Sequence, residues 1–286
     1  MKPTLLVEIV TPKKFVLKGL WFGPKKARRV FVWVHGLGSS VFGNHALVQQ
    51  CVDADTAVLV FNNRGHDSVS KLRHVDPKKS IIAGAAHEIF TDCVDDIAGA
   101  LNTVRAAGAR EVYLVGHSTG CQKSVYYASK KKDPLIKGIV LLAPVSDYAS
   151  FVATHGKAVV SRAIVAANAL MKRGSPHTLM PEDSCGAGFD AQRFLSLYTP
   201  DSFEEIFPYA QTGVIPRILR GLRTPVLVVW AGADEHVDRP SRDVAEWFGK
   251  EIRSPHEVVT IANATHDFRD AEKLVAKAIR KFIERL

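Results

Sequence analysis

Five short apolar runs constrain this chain more than any other feature: VFVWV at 30–34, AVLVF at 57–61, VYLV at 112–115, IVLL at 139–142 and VLVVW at 226–230. A strand wetted on one face alternates polar and apolar residues; these do not, so both faces of each must be covered. Such strands belong to parallel sheets, which need crossover connections over the faces. Segments of helical period lie between them. Val94, Ile97, Ala98, Leu101 and Val104 mark one helix face, and Leu274, Val275, Ala278, Ile279, Phe282 and Ile283 mark another. The alternation predicts an α/β doubly wound sheet. The start differs: 5–10 and 15–21 are joined by Thr11-Pro12-Lys13-Lys14 and read as an antiparallel edge hairpin, giving about eight strands in all, most of them parallel.

The alternation breaks between 146 and 217. Helix-like pieces at 158–170 and 203–210 are separated by Gly174-Ser175-Pro176, Pro181 and Thr199-Pro200, with no strand pattern. We read 146–216 as a helical cap inserted into a core domain formed by 1–145 and 217–286. Its Phe151, Phe189, Phe194, Tyr198, Phe203, Phe207 and Tyr209 would divide between packing on the core and lining a cleft.

Composition excludes several classes of function. With 47% hydrophobic and 23% charged residues the chain is globular. No apolar stretch approaches the roughly 20 residues of a membrane span, and the N-terminal residues lack a signal-peptide pattern, so a soluble, cytoplasmic protein is the expectation. The four cysteines are far apart, without metal or redox spacing, and read as free buried thiols. The net charge of +9 raises the question of nucleic acid. Its distribution answers it: Lys25, Lys26, Arg28 and Arg29 fall in a turn, Lys130-Lys131-Lys132 ends a helix, and the C-terminal basic residues face solvent. No nucleic-acid partner and no membrane insertion are expected; a monomer or homodimer is.

Ligands of open α/β sheets bind at the carboxyl ends of the strands, so the residues following each run matter most. Gly116-His117-Ser118-Thr119-Gly120 follows the third run and precedes a helix-like stretch. In such a strand-turn-helix elbow the central serine is held in a strained turn with its hydroxyl exposed, and a Cβ on either flanking glycine would clash. The pentapeptide alone arises by chance in about one chain in ten of this length. Its neighbours decide it. His35-Gly36-Leu37-Gly38 follows the first run, Arg64-Gly65-His66-Asp67 the second, and Gly232-Ala233-Asp234-Glu235-His236-Val237 the fifth; a final strand near 257–261 leads to Thr265-His266-Asp267-Phe268. His35-Gly36-Leu37-Gly38-Ser39-Ser40 does not complete a dinucleotide fingerprint.

These segments, in this order over nearly the whole chain, resemble an α/β-hydrolase with a helical cap, in the esterase and lipase-like group. A weaker similarity in the RGHD and DEHV segments points to a siderophore-esterase-like subgroup. The resemblance implies nucleophile, acid and base at Ser118, Asp234 and His266. The chemistry agrees: a serine hydroxyl needs a neighbouring imidazole to take its proton, and a carboxylate on the other ring nitrogen sets the tautomer. The backbone amides of Leu37 and Thr119 are the expected oxyanion donors. Glu235 and Asp147 compete with Asp234 as the acid. His236 reads as a surface loop residue and His256 as lying at the wrong end of its strand. His35, Gly36, Arg64, His117, Phe151, Phe194, Tyr198 and Phe207 are the candidate pocket residues, with His35 and His117 supporting the loops and Arg64 bracing them by salt bridges or meeting an anionic substrate. No metal or cofactor is expected. The expected activity is hydrolysis of a small-molecule carboxylic ester through an acyl-enzyme; amide, peptide or carbon–carbon bond hydrolysis and non-catalytic ligand binding are the alternatives.

Overall fold

The unalternating runs become the centre of one ten-stranded sheet. In the computed structural model, which describes residues 4–286, the elements in chain order are β1 (Thr4–Val10), β2 (Phe15–Phe22), β3 (Arg29–Val34), α1 (His45–Gln50), β4 (Thr56–Phe61), β5 (Ser70–His74), β6 (Ser80–Ala83) and α2 (Cys93–Ala106). There follow β7 (Glu111–His117), α3 (Thr119–Lys130), β8 (Ile136–Leu142), α4 (Asp147–His155), α5 (Lys157–Lys172), α6 (Ala191–Tyr198) and α7 (Arg217–Arg220). β9 (Val226–Ala231), α8 (Ser241–Glu251), β10 (His256–Ile261) and α9 (Glu272–Ile283) complete the chain.

The sheet order is β10-β9-β8-β7-β3-β4-β2-β5-β6, with β1 paired to β2. The six strands from β10 to β4 are parallel, and β1, β2, β5 and β6 pair antiparallel. The sheet thus has two more strands than the eight expected. The additional pair, β5 and β6, is short: Leu72 stands alone among Lys71, Arg73 and other polar residues of β5, and the apolar Ile81-Ile82-Ala83 of β6 is only three residues long.

Each central strand is dry because it faces helices on both sides. Val30, Val32 and Val34 of β3 pack with Ile97, Leu101 and Val104 of α2, while Phe31 and Trp33 point to the opposite layer with Leu47 of α1 and Val275 and Ile279 of α9. Cys121 and Val125 of α3 and Phe248 of α8 cover β8 and β9 on the α2 side. In α9 the inward stripe is Val275, Ala276, Ile279, Phe282 and Ile283. Leu274, assigned to that stripe from sequence, is exposed; it stands about 100° around the helix from Val275.

Between β8 and β9 the chain forms α4, α5 and α6, whose Ala163, Ala167, Phe194, Leu197 and Tyr198 cluster together with Leu37 of the β3 loop against them. The helix expected at 203–210 is absent: these residues form turns and coil around Pro208, and Phe203 is exposed. Among the described residues no helix is long and apolar enough to cross a membrane. All four cysteines are free, with Cys185 only half-buried.

The tightest contact in the fold lies where α3 begins. A Cβ on Gly120 would stand 2.0 Å from the Val34 carbonyl oxygen, and one on Gly116 would stand 2.4 Å from the Gly120 carbonyl oxygen. Backbone cannot move aside here without parting β3 from α3. Gly120→Ala is expected to lower unfolding free energy by at least about 3 kcal/mol, despite alanine's better helix propensity; urea unfolding of the two proteins measures it.

Candidate active site

Ser118 joins β7 to α3 with φ 54° and ψ −128°, a conformation costly for any residue with a Cβ. Its amide donates to Leu142 O at 3.0 Å and its carbonyl accepts from Cys121 N at 2.8 Å, which hold the turn closed. The side chain is left facing a cavity of about 710 Å³ above the strand ends. Gly36 passes so close that a Cβ there would meet Ser118 Cβ at 2.8 Å.

His266 reaches the same cavity from the loop after β10. Its Nδ1 lies 2.8 Å from Asp234 Oδ2, on the loop after β9. A carboxylate accepts, so Nδ1 carries the proton and Nε2 is left as the basic nitrogen. Asp234 is itself buried, and its Oδ1 accepts from His236 N at 2.9 Å. Glu235 takes another part, accepting from the backbone amide of His266 at 3.0 Å. His117 Nε2 donates to the carbonyl of His266 at 2.9 Å. The backbone of His266 is thus fixed by Glu235 and His117, and its imidazole by Asp234.

The loop after β3 is set by His35. Its Nε2 accepts from Asn63 N at 3.2 Å, so Nδ1 carries the proton and donates to Gly36 O at 2.8 Å. In a trans peptide the N–H points opposite to the preceding C=O, so fixing Gly36 O also fixes the Leu37 amide. Among the described residues neither the Leu37 nor the Thr119 amide donates to a protein acceptor. Thr119 is the first residue of α3, where unpaired amides and the helix dipole favour negative charge.

Residues 86–286 match the family described as "Protein of unknown function (DUF1749)". The chain belongs to the DUF1749 family. No curated protein matches it. Among solved structures, the DUF1749 chain resembles the siderophore hydrolase EstB from Aspergillus fumigatus at TM-score 0.72 and 16% identity, over 100% of this chain and 98% of that one. Est1E from Butyrivibrio proteoclasticus, solved with ferulic acid bound, gives TM-score 0.64 and 18% identity over 98% of both chains. An esterase from Pyrococcus furiosus gives 0.63 and 14% over 99% of this chain and 91% of that one. At these identities the likeness is one of fold, and the fold is that of the α/β-hydrolases.

Of the pocket residues expected from sequence, Gly36, His117, Phe151 and Tyr198 line the cavity of the DUF1749 protein, as does Leu37. His35, Arg64, Phe194 and Phe207 do not. His35 is buried under the loop it organises. Arg64 is buried against Asp92, Asp95 and Asp96, ion pairs that match its bracing role and leave no face for a substrate. Phe194 packs beneath Phe151 and Tyr198, and Phe207 packs on Phe248. His236 lies closer in than its sequence suggested: it lines the cavity, its ring 4.6 Å from that of His266. Its place in the DEHV segment was the available signal.

Beneath the site runs a buried charge network that no motif announces. Lys123 on α3 is fully buried; its Nζ pairs with Glu88 Oε1 at 2.6 Å and donates to Asn63 Oδ1 at 3.1 Å. Arg193 on α6 pairs with Glu88 Oε2 at 2.9 Å and with Glu204. Burial opposes ionisation of Glu88, yet Lys123 and Arg193 hold its carboxyl below the usual range. The network ties α3, the His35 loop and the α6 segment into one unit. Removing one partner strands the others. Lys123→Met and Glu88→Gln are each expected to cost about 3–5 kcal/mol, and the double variant less than their sum, as a double-mutant cycle in urea would record.

The histidines give a second test. Burial and then Lys123 push His35 down to about 3, and burial and then His266 push His117 down to about 4, from 6.5 in an exposed chain. Between these limits the unfolded chain binds more protons at these two histidines, so their contribution to stability rises with pH and is lost as pH falls below about 6.5, against the opposite contribution of the raised Glu205 and Asp147 carboxyls. The expected slope is up to about 1.4 kcal/mol per pH unit for each histidine, and His35→Gln should flatten it. Unfolding free energies measured from pH 7 to 4 check this.

Proposed function

We propose that the protein is a serine hydrolase of carboxylic esters, with Ser118 as nucleophile, His266 as base and Asp234 as its orienting acid. The observation that carries this reading is the 2.8 Å Nδ1–carboxylate contact, which leaves Nε2 of His266 free in the cavity that the strained Ser118 also faces. The fold neighbours that are esterases, and the ferulic acid in one of them, support the ester bond as the target.

Ser118 Oγ attacks the ester carbon while its proton passes to His266 Nε2. The carbonyl π electrons move onto oxygen, where the amides of Leu37 and Thr119 receive the charge. On collapse the ester C–O bond breaks, and the leaving alkoxide takes the proton from His266. Water then attacks the acyl-enzyme, giving a proton to Nε2; on collapse the acyl–Oγ bond breaks and Nε2 passes that proton to Oγ, releasing the acid and free Ser118. The helices of 146–216 act as the cap, with Phe151 and Tyr198 stacked at 3.8 Å as one wall of the cavity.

Hydrolysis of p-nitrophenyl esters from acetyl to dodecanoyl tests this. Wild type should turn over the shorter esters and be labelled by a fluorophosphonate, whereas Ser118→Ala should lose both, with activity down at least about 10³-fold. Asp234→Asn should lower kcat about 10⁴-fold by presenting the wrong tautomer. Turnover surviving in Ser118→Ala would reject the assignment.

A further inference from the structure

One wall of the cavity is polar in a place where an alkyl chain would want it apolar. Asp147, Ser150 and Thr154 of α4 all line it and, at spacings of three and four residues, form one stripe along the helix. The first of them is rigidly placed. Ser146 caps α4 by accepting from Ala149 N at 3.0 Å, and Gln122 Nε2 donates to Asp147 Oδ2 at 2.8 Å. Gln122 stands four residues beyond Ser118 on α3, so the helix that Ser118 begins also anchors the Asp147 carboxyl, and both residues, Ser118 and Asp147, line the same cavity. The other oxygen, Oδ1, has no hydrogen-bond partner among the described residues.

Asp147 is hydrogen-bonded to Gln122 of α3 and to neither His266 nor Asp234, so it stands outside the His266–Asp234 pair. The leaving oxygen must depart beside His266 to collect its proton. On the hydrolase reading, a group that meets Asp147 beside Gln122 rather than His266 is assigned to the acyl part of the substrate.

The charges around Asp147 decide what it binds. From α3 it is faced by Gln122 and, further in, Lys123; from α6 by Arg193; from the segment after α6 by Glu204 and Glu205. Lys123 and Arg193 are committed to Glu88 and Glu204. Burial, followed by Glu204 and Glu205, raises the Asp147 carboxyl well above the usual range. The carboxyl therefore resists taking up the full charge that would hold a cation. That suits a hydroxyl group rather than an ammonium.

We propose that Asp147 is a specificity residue that hydrogen-bonds a hydroxyl on the acyl chain, so that the preferred substrates are esters of hydroxy acids. This inference rests on the ester-hydrolase reading above.

The test compares kcat/KM for p-nitrophenyl butyrate, 3-hydroxybutyrate and 3-aminobutyrate in wild type, Asp147→Asn and Asp147→Leu. Wild type should favour the hydroxy ester over butyrate at least about 10-fold, because a site built for a hydroxyl is left with unpaired groups by the plain chain. Asp147→Leu should lower that ratio at least 10-fold, and Asp147→Asn, which still donates and accepts, should keep most of it. A general structural role would lower both rates together and leave the ratio unmoved. An equal wild-type preference, a ratio unchanged in Asp147→Leu, or a preference for the amino ester would each overturn the proposal; should Asp147→Leu fail to fold, the wild-type ratio decides. Fluorophosphonate labelling of Ser118 separates the two readings: absence of labelling and of butyrate turnover removes the hydrolase reading itself.

Discussion

The approach of α3 to the ends of β3 and β7 governs this molecule. A methyl at Gly120 would lie 2.0 Å from Val34 O, so the chain must turn from strand to helix with nothing between them. That closeness forces Ser118 to φ 54° and leaves the Thr119 amide unpaired at the helix start. It also brings the Gly36 loop against Ser118, where Leu37 can face the same point. The proposed nucleophile and the proposed charge-stabilising donors are thus products of one steric constraint.

A strained turn persists only where its surroundings over-determine it. Here the surroundings are polar as well as apolar. Lys123 sits fully buried behind the elbow, linked through Asn63 to His35 and through Glu88 to Arg193 on α6. Burying these charges costs solvation, which only complete pairing offsets. The return is geometric: the helix that carries Ser118, the loop that carries Leu37 and the α6 segment cannot shift independently. The floor of the cavity is therefore fixed by these pairs, while α4 and Tyr198 form a wall outside them.

Much of this was legible in the residues. The unalternating runs required covered strands, and β3, β4, β7, β8 and β9 are those runs. The glycines around Ser118 announced the elbow because only a missing Cβ fits there. Sequence left Asp234, Glu235 and Asp147 as rival acids; the loop after β9 aims Asp234 at the His266 ring, Glu235 at its backbone amide, and α4 turns Asp147 toward Gln122. β5 and β6 escaped notice because they are five and four residues long, too short for their few apolar residues to set a period. Phe194 and Phe207 were expected at the cavity, yet an aromatic side chain looks the same in sequence whether it packs or lines.

The sequence by itself determined the α/β class, the elbow and the order of the strand-end segments, because each rests on local chemistry: period, chain reversal, the absence of a side chain. Only the tertiary structure decided which carboxylate meets His266, that Lys123 and Arg193 are buried with Glu88, and that the polar stripe of α4 faces a cavity rather than water. Those depend on contacts between residues as far apart as Asn63 and Lys123, or Glu88 and Arg193. Charge and polarity mark a residue as able to pair, but only packing chooses its partner.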